Sequence, residues 1–258
     1  MRSESFVAGK LSRDRVVIAS CILLLTLLAW VYLFRLDHEM SVMESMARMG
    51  MPMDMPWTTR DFLLTFAMWS VMMVGMMAPT AMPVLLLFAQ MRKDHKQPLA
   101  ATVFGLGHVT IWIGFSAIAA SLQWALHQVT LLSSGMVVTS PYIAAIILIG
   151  AGIYQLTPVK AKCLTKCQSP LGFLMSNWRE GSRGAFVLGT RHGAYCLGCC
   201  WALMLVLFVV GVMNLAWVAV LTVFIFIEKF GPRGLRLARI AGVVIILAGV
   251  LSMFYGQA

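Results

Sequence analysis

The chain has 258 residues, of which 60% are hydrophobic and 12% are charged, and its mean hydropathy is +0.85. These values exclude an ordinary soluble globular protein and predict an all-α, polytopic membrane helix bundle. The formal net charge is +10. Lysine and arginine fall in blocks between apolar runs, so topology and anionic membrane lipid explain the excess and no nucleic-acid partner is needed.

Seven apolar runs are candidates for transmembrane helices, which need roughly 20 residues each. They are 16–34, 62–88, 100–126, 142–156, 197–213, 216–227 and 240–255. The fourth and sixth runs are short, so we expect both to extend into their flanks. Basic residues concentrate before the first run and in alternate loops, and the positive-inside rule then predicts a cytoplasmic N-terminus and an external C-terminus.

The first run has a basic flank, as a signal peptide would, but it is long and lacks a small-x-small cleavage site. We therefore interpret residues 1–60 as a retained signal-anchor helix followed by a Met-rich outer loop. Residues 61–258 are expected to form a six-helix metal-binding membrane domain.

The predicted outer loop between Arg35 and Arg60 is unusually rich in methionine. Seven of the sixteen residues from 40 to 55 are methionine: Met40, Met43, Met46, Met49, Met51, Met53 and Met55. Thioether sulfur is a soft, uncharged ligand that selects Cu(I), and it suits an oxidising compartment in which thiols form disulfides. The alternative is an interfacial amphipathic segment with Met as adaptable filler. The near absence of Leu and Ile favours metal capture.

The second apolar run continues this pattern. Met68, Met72 and Met76 are spaced by four, so they form a ladder on one helix face that leads inward from the loop. For any single methionine, packing against lipid or core is the better interpretation. As a set, the ladder predicts a path for a soft metal ion.

Two further groups of donors lie on the cytoplasmic side of the predicted topology. His108 lies inside the third apolar run, where a histidine either has a functional role or hydrogen-bonds across helices. Cys163 and Cys167 are four residues apart, so one helical turn brings their sulfurs together. In a reducing cytoplasm such a pair is a metal clip or a redox pair rather than a structural disulfide.

The densest group of donors is the stretch from His192 to Cys200. On a helix His192, Cys196 and Cys199 share one face within roughly 60° of arc, and Cys200 lies about 40° beyond it. Imidazole and thiolate suit soft or borderline metals, whereas Cys196-x-x-Cys199 also suits thiol–disulfide exchange. The sequence also leaves open whether His108 and His192 bind a haem or another cofactor.

Two expectations concern the flanks of this stretch. Glycines before Cys196 indicate that residues 185–195 are interfacial or a broken half-helix, with the continuous span starting near Cys196. Glu228 and Lys229 end the sixth run, and we interpret them as marking the membrane interface by snorkelling. Alternatively, Glu228 accepts a hydrogen bond from a ligating histidine.

Three segments resemble the bacterial family described as predicted metal-binding integral membrane proteins. They are WSVMMVGMMAPTAMP at 69–83, the run 150–204 with CLTKC, NWREG and HGAYCLGCCW, and the Glu228-Lys229 pair. The resemblance covers roughly residues 60–245 and implies a multi-pass protein of the bacterial inner membrane. It also implies metal binding at His192, Cys196, Cys199 and Cys200, with Cys163 and Cys167 as companions. The inference of copper rests on the residues of this chain.

The function favoured is copper handling without catalysis. Cu(I), or another soft or borderline metal, would pass from the outer Met cluster through the Met ladder to the His/Cys cluster, and then to a membrane cuproenzyme or a copper chaperone. A transmembrane thiol–disulfide relay is the enzymatic alternative, and a non-catalytic assembly subunit of a membrane complex is the third. No P-loop, G-x-S-x-G motif or pair of intramembrane carboxylates supports a hydrolase or a phosphotransferase.

Overall fold

The computed structural model describes the backbone of residues 2–48, 58–91, 97–129 and 137–255, and side chains of residues 15–39, 58–91, 99–129 and 137–254. Within these ranges all residues except short connecting segments are helical, which confirms the all-α class. The described helices are α1 (Arg2–Arg48), α2 (Thr59–Met91), α3 (Gln97–Gln128), α4 (Pro141–Leu156), α5 (Pro158–Gln168), α6 (Pro170–Asn177), α7 (Gly181–Val210), α8 (Leu215–Phe230) and α9 (Gly234–Tyr255).

Five of the described helices are long and apolar enough to cross a membrane: Arg15–Glu39 within α1, all of α2, Leu99–Gln128 within α3, all of α7, and Gly234–Phe254 within α9. Helices α4 and α5 qualify together as a sixth span, bent by 62°. Helix α8 covers the predicted sixth run, but its 16 residues reach only about 24 Å. The predicted count of seven therefore stays a prediction.

The side chains are distributed as in a protein whose surface faces lipid. Ile118, Ile146 and Phe254 are 69%, 67% and 73% exposed, on α3, α4 and α9. In contrast, His108, Lys160, His192, Glu228 and Lys229 are all buried. Apolar residues outside and ionisable residues inside are typical of a membrane helix bundle, because lipid penalises exposed charge.

Helix α1 extends beyond the first predicted apolar run. The prediction of an outer loop that starts at Arg35 is wrong, because the helix continues to Arg48. Residues 35–48 contain neither glycine nor proline, and methionine, leucine and glutamate favour helices. Met43 and Met46 lie on this helical backbone, but their side chains lie outside the described ones, as does that of Met40. Met49, Met51, Met53 and Met55 lie outside the described residues altogether.

The glycines before Cys196 serve helix packing. The expectation that residues 185–195 form a broken half-helix is wrong, because α7 is continuous. A Cβ atom added at Gly189 would lie 2.0 Å from the carbonyl oxygen of Phe104, and one at Gly193 would lie 3.0 Å from that of His108. The missing side chains let α3 and α7 approach closely, as small residues do between membrane helices.

This packing predicts how a methyl group added at Gly189 changes the stability of the protein. We expect Gly189→Ala to lower the free energy of unfolding by about 1–3 kcal/mol, because its Cβ would meet backbone that cannot rotate away. Gly114→Ala on α3 is the matched control, since a Cβ there has nothing within 4 Å. The control should be neutral or gain up to about 1 kcal/mol from helix propensity. Thermal unfolding in detergent measures both, and equal midpoints would contradict the packing argument.

Candidate metal centre

The close approach of α3 and α7 brings two buried histidines together. His108 and His192 are each 3% exposed, and their Nδ1 atoms are 3.2 Å apart. The rings of Phe104 and Phe173 cover His192, with centroids 5.9 and 5.5 Å from its own. The Nε2 atom of His108 is buried with no hydrogen-bond partner among the described residues. A buried imidazole nitrogen without a partner is a costly feature that a ligand can satisfy.

One turn further along α7, three buried cysteines follow the predicted spacing. Cys196, Cys199 and Cys200 are no more than 2% exposed. The thiols of Cys199 and Cys200 donate to the carbonyl oxygen of Cys196 at 3.0 and 2.9 Å. The thiol of Cys196 also contacts Cys200 and the ring of His108. The thiols and the histidine pair therefore form one continuous group.

Helix α5 adds two further cysteines. Thr157 and Pro158 stop α4, and the Thr157 side chain accepts a hydrogen bond from the backbone of Lys160 to start α5 across the bend. This direction brings Cys167 into contact with Cys199. The sulfur of Cys163 lies 2.8 Å from where a Cβ at Gly198 would be, so this glycine provides the room for it.

We call these residues the donor cluster: His108, Cys163, Cys167, His192, Cys196, Cys199 and Cys200. All six cysteines of the chain lie within the described residues, and all are free thiols. The donors touch in pairs, and in the described part of the chain no three His, Cys, Asp or Glu side chains converge on one point that could hold a metal ion. Two of the thiols point at a backbone carbonyl, so these side chains must rotate before they can bind a metal.

A buried lysine contacts the donor cluster. The ammonium of Lys229 lies 2.9 Å from the sulfur of Cys196, 3.2 Å from the hydroxyl of Thr80 and 3.8 Å from the sulfur of Met77. Lys229 is 4% exposed. A cation thus already sits between a thiol and a thioether, two groups that bind soft cations.

The predicted Met ladder faces the protein interior. Met68, Met72 and Met76 are 4%, 1% and 1% exposed, and they share one apolar core with Cys196 and Cys199. Of the methionines of α2, it is Met77 that meets the lysine beside the cluster. The ladder therefore packs inside the bundle rather than against lipid.

The interpretation of Glu228 and Lys229 as interface markers is wrong. Glu228 is 2% exposed, and its carboxylate pairs with the ammonium of Lys160 at 2.5 Å. Glu228 therefore pairs with Lys160, and the alternative of a hydrogen bond from a ligating histidine is not what the structure shows. The sequence signal was a Glu-Lys pair directly after a long apolar run. That signal could not say whether the pair points inward, because the rotation of α8 depends on its neighbours.

Comparison with known families links the chain, though not a particular set of its residues, to copper. A family model described as PpoB2, copper chaperone, matches residues 66–252. The chain belongs to this copper chaperone family. The match runs from α2 into α9, so it includes every residue of the donor cluster. No curated protein and no solved structure matches the chain.

Membership of the PpoB2 family agrees with two parts of the sequence analysis. A copper chaperone family is a copper-related family, as the resemblance to metal-binding membrane proteins implies. Chaperoning of a metal also suggests a non-enzymatic role. Copper is thus the cargo of a PpoB2 protein, and soft sulfur and imidazole donors are the chemistry that such a cargo requires.

Proposed function

We propose that this PpoB2 protein binds Cu(I) at the donor cluster within the bacterial inner membrane and delivers it to a cuproenzyme or to a further copper chaperone. One observation carries the proposal: imidazoles and thiols from α3, α5 and α7 form a chain of pairwise contacts inside an apolar core. Buried polar side chains in membrane helices are expensive and mark functional sites. A soft ion is the ligand that these donors suit best.

The ion would bind after a small local change. The thiols of Cys199 and Cys200 would rotate away from the carbonyl oxygen of Cys196, to which they donate at 3.0 and 2.9 Å. Each would give up a weak hydrogen bond, release its proton to solvent and bind copper as a thiolate. Cys196 would join them from the same face of α7, and Cys167 from α5. His108, with its free Nε2, and His192 would complete or tune the site.

A route to the cluster follows from the methionines. In the proposed orientation, with a cytoplasmic N-terminus, the outer segment would collect Cu(I) through Met43, Met46, Met49, Met51, Met53 and Met55. The buried ladder of Met68, Met72 and Met76 would carry the ion towards Met77, which lies next to Lys229. Thioethers bind Cu(I) less tightly than thiolates, so affinity would rise along this route.

The thiol–disulfide relay is the second candidate. The contact between Cys167 and Cys199 is the observation that favours it, because two thiols in contact on different helices can form a disulfide when a partner protein's disulfide accepts their two electrons and two protons. A relay predicts a disulfide that forms without metal and a mixed disulfide trapped by a single Cys→Ser variant. A protein that only binds and delivers Cu(I) works without forming either disulfide.

The proposal is tested by loading the purified, reduced, full-length protein with Cu(I) under anaerobic conditions and challenging it with a Cu(I) chelator. We expect the unmodified protein to retain at least about one copper ion per chain, and Cys196→Ser/Cys199→Ser to lose it, because serine is a much poorer ligand for Cu(I).

Cys21→Ser is the control, since this cysteine lies exposed on α1, away from the cluster. It should retain copper as the unmodified protein does, and near-identical circular dichroism should show that all three proteins are folded. Unchanged copper retention in the double variant would remove Cys196 and Cys199 from the ligand set.

A further inference from the structure

A second polar site lies away from the donor cluster, at the bend between α4 and α5. A half-open cavity of about 340 Å³ is bounded there by the end of α4, the first two turns of α5 and the start of α9. The polar side chains that line it are Gln155, Thr157, Lys160, Lys162, Thr165 and Arg239. Its volume lies at the lower end of the range for sites that bind small molecules.

The cavity is positively charged. Lys162 and Arg239 are exposed at its walls, on α5 and α9, and neither forms an ion pair with a carboxylate of the described residues. No Asp or Glu is among the residues that line it. Two basic side chains with no acid beside them attract an anion.

A buried amide without partners points to the same class of ligand. Gln155 lines the cavity and is only 3% exposed. Its Nε2 and Oε1 atoms have no hydrogen-bond partner in the described part of the chain. An unsatisfied buried amide is costly. A bound anion would accept from Nε2, which would remove part of that cost.

We propose that this cavity binds a phosphate group, carried either by the headgroup of an anionic phospholipid or by free inorganic phosphate. Lys162 and Arg239 supply the charge, and Gln155 supplies an amide donor. Basic pockets between transmembrane helices are known binding places for anionic headgroups. A phosphate here bridges α5 and α9, so it stabilises the bend that positions Cys167 against Cys199.

The test uses the metal-free, full-length protein in neutral detergent, so its outcome is independent of copper binding. Thermal unfolding is followed while phosphatidylglycerol, phosphatidylcholine or inorganic phosphate is added. We expect phosphatidylglycerol, or phosphate, to raise the unfolding temperature in a saturable manner, and phosphatidylcholine to have no such effect. Stabilisation by phosphatidylglycerol alone identifies a lipid headgroup, whereas an equal effect of inorganic phosphate identifies the free anion.

Two double variants of equal net charge locate the site. Lys162→Gln/Arg239→Gln removes the charges of the cavity, and Lys166→Gln/Arg236→Gln removes exposed charges of the same two helices that do not line it. We expect the first to weaken the effective affinity by about tenfold or more, and the second to leave it unchanged. Gln155→Leu should also weaken binding, and it retains both charges.

Absence of any saturable stabilisation in the unmodified protein would overturn the proposal, as would equal losses in the two double variants. Either result would leave the copper measurements untouched, because the donor cluster contains none of these residues.

Discussion

Lys229→Met is expected to bind Cu(I) more than about a hundredfold more weakly than the unmodified protein. Cu(I) held by two thiolates carries one net negative charge, and the donor cluster lies in an apolar core. The ammonium of Lys229, 2.9 Å from the sulfur of Cys196, can neutralise that charge. A buried charge left without its partner costs about 3–5 kcal/mol, which corresponds to more than a hundredfold in affinity.

Competition with a Cu(I) chelator of known affinity measures this effect. Lys166→Met on α5 is the matched control, since Lys166 is exposed and outside the cluster, and we expect it to bind copper normally. Lys229→Met should fold without copper, because neutral thiols need no counter-charge. An unchanged or tighter affinity for Cu(I) would mean that Lys229 only blocks the site and does not balance its charge.

Glu228→Gln is expected to lower the free energy of unfolding by about 3–5 kcal/mol. The side chains of Glu228 and Lys160 are 3% and 1% exposed and pair with each other at 2.5 Å. Removal of the carboxylate charge leaves a buried ammonium unpaired, which costs far more than the net contribution of the pair.

The partner substitution tests this explanation. We expect Lys160→Met/Glu228→Gln to recover much of the stability lost in the single variant, because no unpaired charge then remains. Glu180→Gln, at an exposed position, is the control and should change the free energy by less than about 0.5 kcal/mol. Chemical or thermal unfolding in detergent gives all three values. A double variant no more stable than Glu228→Gln would show that the loss does not come from an unpaired ammonium.

Contacts within one helix could be predicted from the sequence. His192, Cys196 and Cys199 recur at i, i+4 and i+7, so α-helical geometry alone places them on one face. The apolar runs and the scarcity of charge were likewise sufficient for the helical class and for a membrane environment. The prediction of a broken half-helix before Cys196 failed, since the same glycines either interrupt a helix or let two helices approach, and only a neighbour such as Phe104 distinguishes the two.

Contacts between helices were decided by the tertiary structure. The pairing of His108 with His192, and of Cys167 with Cys199, depends on the offset of α3 against α7 and on the bend before α5. The sequence contained the charges of Glu228 and Lys229 but not their direction, because the rotation of a helix about its axis is set by all of its packing partners together. Local periodicity therefore determined which side chains share a face, and the packing of the bundle determined what each face meets.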